Sequence, residues 1–304
     1  VGVGFLAYFA SAGSGGFAFA VILGPMSHDL GWSRSTVTGA LTVGGIAGAL
    51  VAPFMGPIVD KYGARVMIAI AGLVSGVCLL LTSQTGNILF FYCVCGVGLG
   101  ITRPVLTFLG PTAAVANWFV RRRGRAFAIV TMGIPFSGIL LPPLMQGVIS
   151  SGLGWRAGWW VLGVLTIVLV VPTSWFLMKR RPEDIGLLPD GGPTGDSKNP
   201  VEVASDSSVI RQDYLWTRQQ IAKVPAFWIM LIAFTLTGFP GGSIFIHLVA
   251  YFTDKGFGAG LAANTLSLYA GGALVGRVVW GFVAERIPVR NAIVVYGFLY
   301  GAAI

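Results

Sequence analysis

Long apolar runs, each closed by a short polar or charged turn, repeat along most of this chain. They fall at about 2 to 24, 36 to 58, 66 to 84, 88 to 116, 126 to 149, 158 to 178, 225 to 250 and 261 to 283, and a further run opens near 292. A helix rises 1.5 Å per residue, so about 20 residues cross the ~30 Å hydrocarbon core of a bilayer. The runs are continuous and do not alternate apolar with polar. That favours helices over a barrel, because lipid offers no partner to an open backbone group. The pattern predicts an all-α membrane protein with eight complete transmembrane helices and part of a ninth, the last run being read as cut short at Ile304. Val1 opens in apolar sequence with no charged segment before it, so the first run is read as a span and not as a cleaved signal.

Composition agrees: 55% of residues are hydrophobic and only 10% charged, which no soluble surface supports. Charge then orients the spans. The turns at 59 to 65, 121 to 125, 179 to 223 and 285 to 290 hold 15 Lys and Arg, whereas the opposite turns hold three, Arg34, Arg156 and Lys255. Cytoplasmic loops carry that excess, so the first helix starts on the cytoplasmic side of a cell membrane and the chain is multi-pass. The net charge of +9 is spread over these loops, an orientation signal that gives no nucleic-acid surface. Trp32, Trp155, Trp216 and Trp228 lie near predicted interfaces, where aromatic rings favour the headgroup level.

The stretch 179 to 222 breaks the pattern. It is rich in Pro and Gly from Pro189 to Pro193, polar through Ser208, and apolar again at Tyr214-Leu215-Trp216. It reads as a cytoplasmic linker ending in a short interfacial helix. The expected organisation is an N-terminal bundle at 1–178, this linker at 179–222, and a C-terminal bundle at 223–304.

Chemistry-bearing residues are few. Cys78, Cys93 and Cys95 are an odd set inside spans, with no disulfide framework, and residues two apart on a helix point to different sides. No metal site and no cofactor is expected. Two arginines stand inside spans. Arg103 lies 15 residues after Ile88, near mid-membrane, and its neighbours at helical spacing, Gly96, Gly100, Thr107 and Gly110, form a small, partly polar face. A central arginine costs about 2.5 to 3.5 kcal/mol on insertion scales, so it must face a cavity or a counter-charge. Either it lines a path or it pairs with a carboxylate on another helix. Pro104 removes a backbone donor and frees the Gly100 carbonyl. Arg277 lies eight residues before Glu285, inside the eighth span, where it either reaches the same path or snorkels to inner headgroups. Every acidic residue falls in a turn or at a helix end, so an anionic cargo is expected to balance the two guanidiniums. His247, Tyr8 and Tyr269 are further candidates for touching it, each also explained by ordinary helix packing.

A ten-residue pattern occurs twice at an offset of 225: Gly56-Pro57-Ile58-Val59-Asp60-Lys61-Tyr62-Gly63-Ala64-Arg65, and Gly281-Phe282-Val283-Ala284-Glu285-Arg286-Ile287-Pro288-Val289-Arg290. In each, a glycine expected to admit a close neighbour is followed four residues later by an acid, then by two bases. Asp60 and Glu285, with Lys61, Arg65, Arg286 and Arg290, are candidate gate groups at the cytoplasmic face, or simply helix stops. In-span glycines at 44, 45, 48, 96, 98, 100, 271 and 272 predict close helix contacts.

On these residues the chain resembles the major facilitator superfamily. Within it, the resemblance is to the branch of monocarboxylate porters and oxalate/formate antiporters. The branch cues are Leu30-Gly31-Trp32-Ser33-Arg34, Trp118-Phe119 with Arg123-Gly124, Gly154-Trp155-Arg156, Arg181-Pro182-Glu183-Asp184-Ile185-Gly186-Leu187, and His247-Leu248 with Asp254-Lys255-Gly256. The resemblance implies two six-helix bundles, twelve helices in all. It also implies that Arg277 holds a substrate carboxylate. An acid common one turn earlier in such porters is Ala273 here.

The function expected is that of a monomeric secondary transporter. It would move a small mono- or dicarboxylate by alternating access, with a coupled proton or counter-anion. The alternatives are an exporter of larger amphiphiles and, remotely, a membrane-embedded enzyme.

Overall fold

The computed structural model describes residues 1–119, 123–179, 186, 218–286, 291, 294–295, 297–299 and 301. Among these residues the regular structure is entirely helical. Five stretches are long and apolar enough to cross a membrane: α1 (Gly2–Leu30), α2 (Arg34–Tyr62), α3 (Ala64–Ser83), α4 (Ile88–Trp118) and the 55-residue stretch Arg123–Leu177. The last is two spans. Gly152 at φ 87° and Gly154 at φ 73° adopt the left-handed conformation that glycine tolerates without a steric cost. They turn the chain back between α5 (Arg123–Thr131 continued by Gly133–Val148) and α6 (Gly154–Pro172). After the short α7 (Arg218–Ala222) come the seventh and eighth spans, α8 (Pro225–Asp254) and α9 (Ala259–Arg286). The ninth run lies largely outside the described residues. So does the predicted interfacial segment at Tyr214-Leu215-Trp216.

Several helices run past the apolar stretches that predicted them. Polar residues near the interface continue a helix, and backbone geometry ends it. Gly31 at φ 66° closes α1, and Gly63 at φ 84° alone joins α2 to α3. Ser33 caps α2 by accepting the Thr36 amide at 3.1 Å, and Asn87 caps α4 by accepting that of Leu89 at 2.8 Å.

α1 is the central helix: 83% of its most apolar window is buried, against 22% for α2. Around it, small residues set the helix spacing. Gly44 and Gly48 of α2 face Gly96 and Gly100 of α4 so closely that a Cβ on Gly100 would come within 2.4 Å of the Gly44 carbonyl oxygen. Gly72 and Gly76 of α3 make room for Val170 and Ile167 of α6 in the same way. Gly138 of α5 receives Phe17 of α1 and Ala270 of α9, and the Ser267 hydroxyl of α9 donates to the Ile139 carbonyl of α5 at 3.1 Å. Close contact was also expected at Gly45, Gly271 and Gly272. There a Cβ would meet no atom of the described residues within 4 Å, so these positions face away from the neighbours described.

Candidate functional site

Two irregularities of α1 and α4 fix Arg103. Along α1 the sequence Gly13-Ser14-Gly15-Gly16 widens the helix into a π turn over Gly13–Phe17, with the Ala18 amide bonded to the Gly13 carbonyl five residues back. Arg103 stands 15 residues from Ile88 and 15 from Trp118, the two ends of α4, so it sits about 22 Å from either end. Its Nη2 donates to the Gly15 carbonyl at 3.0 Å. A Cβ on Gly15 would lie 2.2 Å from that nitrogen, so a larger residue there would push the guanidinium off its carbonyl. The Ser11 and Thr107 hydroxyls, 2.9 Å apart, bridge α1 and α4 one turn away. Arg103 also borders a small void of ≈ 20 Å³, to which Ser11, Ser14, Ser75 and Thr102 bring polar groups and which has room for about one water. The Gly100 carbonyl that Pro104 was expected to free packs against Gly48 of α2, and so holds helices together instead of facing cargo.

Arg277 is fixed by a different device. Thr131 and Met132 end the first half of α5, and the residue four beyond Thr131 is Pro135, which has no N–H to offer the Thr131 carbonyl. Arg277 of α9 supplies the missing donor through Nη1. The guanidinium thus crosses sideways from α9 to α5, whose Thr131 stands about as far from the predicted cytoplasmic end of its helix as Arg277 does from that of α9.

Both arginines line one cavity of ≈ 530 Å³. Its wall combines Ala12, Gly15, Gly16 and Phe17 of α1 with Leu41 and Thr42 of α2 and Ile134 and Pro135 of α5. Phe245 and Ile246 of α8 and Tyr269 and Ala273 of α9 complete it. Phe17 and Phe245 meet edge to face with centroids 4.6 Å apart, and Phe245 leans on Tyr269 at 5.9 Å. No acidic side chain lines this cavity among the described residues. Two fixed positive charges therefore face a mostly apolar chamber, each bonded to a neutral carbonyl that leaves its charge uncompensated.

Of the five side chains predicted to touch cargo, the cavity gathers Arg103, Arg277 and Tyr269. His247 is exposed and off this wall, one position past Ile246 and so turned to another side of α8. Tyr8 is buried behind the wall with its ring edge-on to Phe108. Neither lines this chamber in the structure.

The first gate pattern also differs from expectation. A Cβ on Gly56 would meet open space, because α2 is peripheral, so this glycine admits no close neighbour among the described residues. Asp60 and Lys61 are exposed at the end of α2. Arg65 lies over the Trp175 ring of the turn after α6, at 5.2 Å. Gly281, Glu285 and Arg286 fall in the last turns of α9, and their side chains, like all of Arg290, lie outside the described residues.

What sequence reasoning missed is at the opposite face. Arg34, at the start of α2, grips Asp254, at the end of α8, bidentately at 2.5 and 2.8 Å. Arg156 bonds Asp29 at 2.7 Å while lying over Trp155, whose indole N–H donates to the same carboxylate at 3.0 Å. Arg34, Asp254, Trp155 and Arg156 stood in the sequence only as parts of separate motifs, and Asp29 as one more acid at a helix end. Their pairing needs the fold, since Arg34 and Asp254 are 220 residues apart.

The family profile described as Major Facilitator Superfamily matches residues 3–304. The MFS-type transporter pynF of Aspergillus niger is 27% identical over 274 residues, covering 90% of this chain and 55% of that protein. Monocarboxylate transporter 11 of Homo sapiens is 26% identical over 248 residues (79% of this chain, 47% of the relative). The oxalate:formate antiporter of Oxalobacter formigenes is 22% identical over 279 residues (89% and 59%). The chain thus spans about half the length of these relatives. In fold it matches an inward-facing, unoccupied bacterial homologue of the human lysosomal transporter Spinster, with TM-score 0.69 and 15% identity, over 95% of this chain and 62% of that one.

Proposed function

The chain belongs to the Major Facilitator Superfamily, and from that premise we propose that it serves a secondary transporter moving a small mono- or dicarboxylate by alternating access. The helices at 1–178 act as one bundle and those at 223–304 as part of the second, rocking about the chamber between them. One observation carries the reading. Arg103 and Arg277 line the same chamber, and among the described residues no acid on its wall offsets them. A guanidinium fork matches a carboxylate bidentately, and such charge-assisted bonds are stronger than those to a carbonyl. The anion therefore displaces the Gly15 and Thr131 carbonyls and neutralises the site. A monocarboxylate transporter and an oxalate:formate antiporter among the relatives support this substrate class.

The test is uptake of labelled lactate and labelled oxalate into proteoliposomes containing the purified protein. Saturable uptake of either, competed by unlabelled acid, is expected; uptake no faster than in protein-free vesicles would refute the reading. A second reading, export of larger amphiphiles, draws on the chamber's size: cavities of ~300 to 1,000 Å³ hold drug-sized ligands, and Phe17, Phe245 and Ile134 offer apolar contact. It would be favoured if uncharged amphiphiles, and not short acids, compete for the site.

Alternating access also assigns a role to Arg34 and Asp254. Their bond joins α2 to α8 on the face predicted to be external, and so holds that face closed. In a protein whose Cys78, Cys93 and Cys95 are replaced by serine, Asp254→Asn is expected to speed external labelling of a Thr42→Cys reporter. An exposed pair is modest, so the gain is roughly two- to fivefold. Unchanged labelling would remove the gate role.

A further inference from the structure

We propose that Pro135 makes Arg277 a tie between the two halves that the cargo releases, so that the empty carrier reorients slowly and the loaded one fast. This rests on the carboxylate reading above and adds a coupling mode to it.

One N–H is missing from α5 at Pro135. In an unbroken helix the Thr131 carbonyl would be taken by the amide four residues on; with proline there, one turn along at the chamber wall, the carbonyl is left without that donor. An open carbonyl in a low-dielectric site requires a donor. The donor it has is Arg277, which reaches it from α9 of the other half. This bond spans the face where α5 and α9 already meet at Gly138, Ala270 and the Ser267–Ile139 hydrogen bond. Sliding α5 past α9 with the chamber empty breaks the bond and leaves a half-buried guanidinium and a half-buried carbonyl without each other.

A bound carboxylate changes that balance. It accepts from the guanidinium in place of the neutral carbonyl and neutralises the charge, so the halves move without stranding it. Arg103 differs, because its acceptor Gly15 and its own helix α4 belong to the same half. Of the two arginine bonds at the chamber, that of Arg277 is the one that registers movement between halves. Pro135 is therefore a positioning residue: it acts through the Thr131 carbonyl.

Proteoliposomes loaded with labelled oxalate, and in parallel with labelled lactate, test this. Efflux is measured into medium containing the same unlabelled acid and into medium without it. The native protein is expected to release label at least about tenfold faster into the acid-containing medium, the scale set by one hydrogen bond to a charged group. Pro135→Ala and Pro135→Ser both restore an N–H to satisfy the Thr131 carbonyl. Each is expected to cut the ratio to about twofold or less by raising efflux into acid-free medium. A merely structural role for the proline would lower both rates in step and leave the ratio alone, which overturns the proposal. A native ratio near one overturns it as well, with no need of either variant. No release of either acid under any condition would instead sink the carboxylate reading, and the tie with it.

Discussion

Arg103→Ala and Arg277→Ala are each expected to lower carboxylate uptake by roughly 10- to 100-fold, since a hydrogen bond to a charged group contributes about 1.5 to 3 kcal/mol and each 1.4 kcal/mol is tenfold. The loss should appear in the concentration giving half-maximal uptake as well as in the rate, because the charge acts on bound cargo. Lysine is not an equivalent replacement. Its ammonium keeps the charge but not the planar fork, and recovers only part of the loss. Each alanine variant relieves the cost of a charge held in the membrane but takes the donor from the Gly15 or Thr131 carbonyl, about 1 to 3 kcal/mol, so the yield of folded protein should change much less than uptake. Uptake of oxalate and lactate by purified variants, alongside their thermal stability in detergent, checks both halves of this prediction. Wild-type uptake in Arg103→Ala would mean that Arg103 packs helices and does not hold cargo.

Gly100→Ala is expected to do the opposite, lowering stability before it touches specificity. Its new Cβ would lie 2.4 Å from the Gly44 carbonyl oxygen and 2.7 Å from the Gly44 Cα, both backbone atoms that no rotamer change moves aside. Overpacking of this kind costs about 1 to 3 kcal/mol. Here it also pushes α2 off α4 and shifts Arg103, three residues along the same helix. The control lies next door: Gly45 faces open space, so Gly45→Ala should be neutral. A clear drop in denaturation temperature for Gly100→Ala with none for Gly45→Ala is the expected pair of results. Equal temperatures would show that the α2–α4 contact adjusts freely.

Much of this arrangement was legible before any coordinates. Eight spans follow from apolar length alone, and the depth of Arg103 follows from counting residues to the ends of its run. The closeness of α2 and α4 was signalled by glycines four apart on both helices. Three things were not legible, each for a physical reason. The partners of both arginines are backbone carbonyls, and sequence shows a free carbonyl only indirectly, through a proline four residues on or a glycine-rich π turn. The Arg34–Asp254 bond joins residues that only the assembled bundles bring together. Gly56 carried a family motif whose expected contact is not made among the described residues, because α2 turns that face outward.

The account turns on whether cargo charge, and not protein charge, neutralises the two guanidiniums. Equilibrium binding to the purified protein tests this most directly, comparing labelled oxalate with its uncharged diamide, and labelled lactate with lactamide. The account predicts that at least one acid binds saturably, that its amide fails to compete at a hundredfold excess, and that the Arg103→Ala, Arg277→Ala double variant binds neither. An amide that competes as well as its acid, or acid binding that survives loss of both arginines, would contradict it.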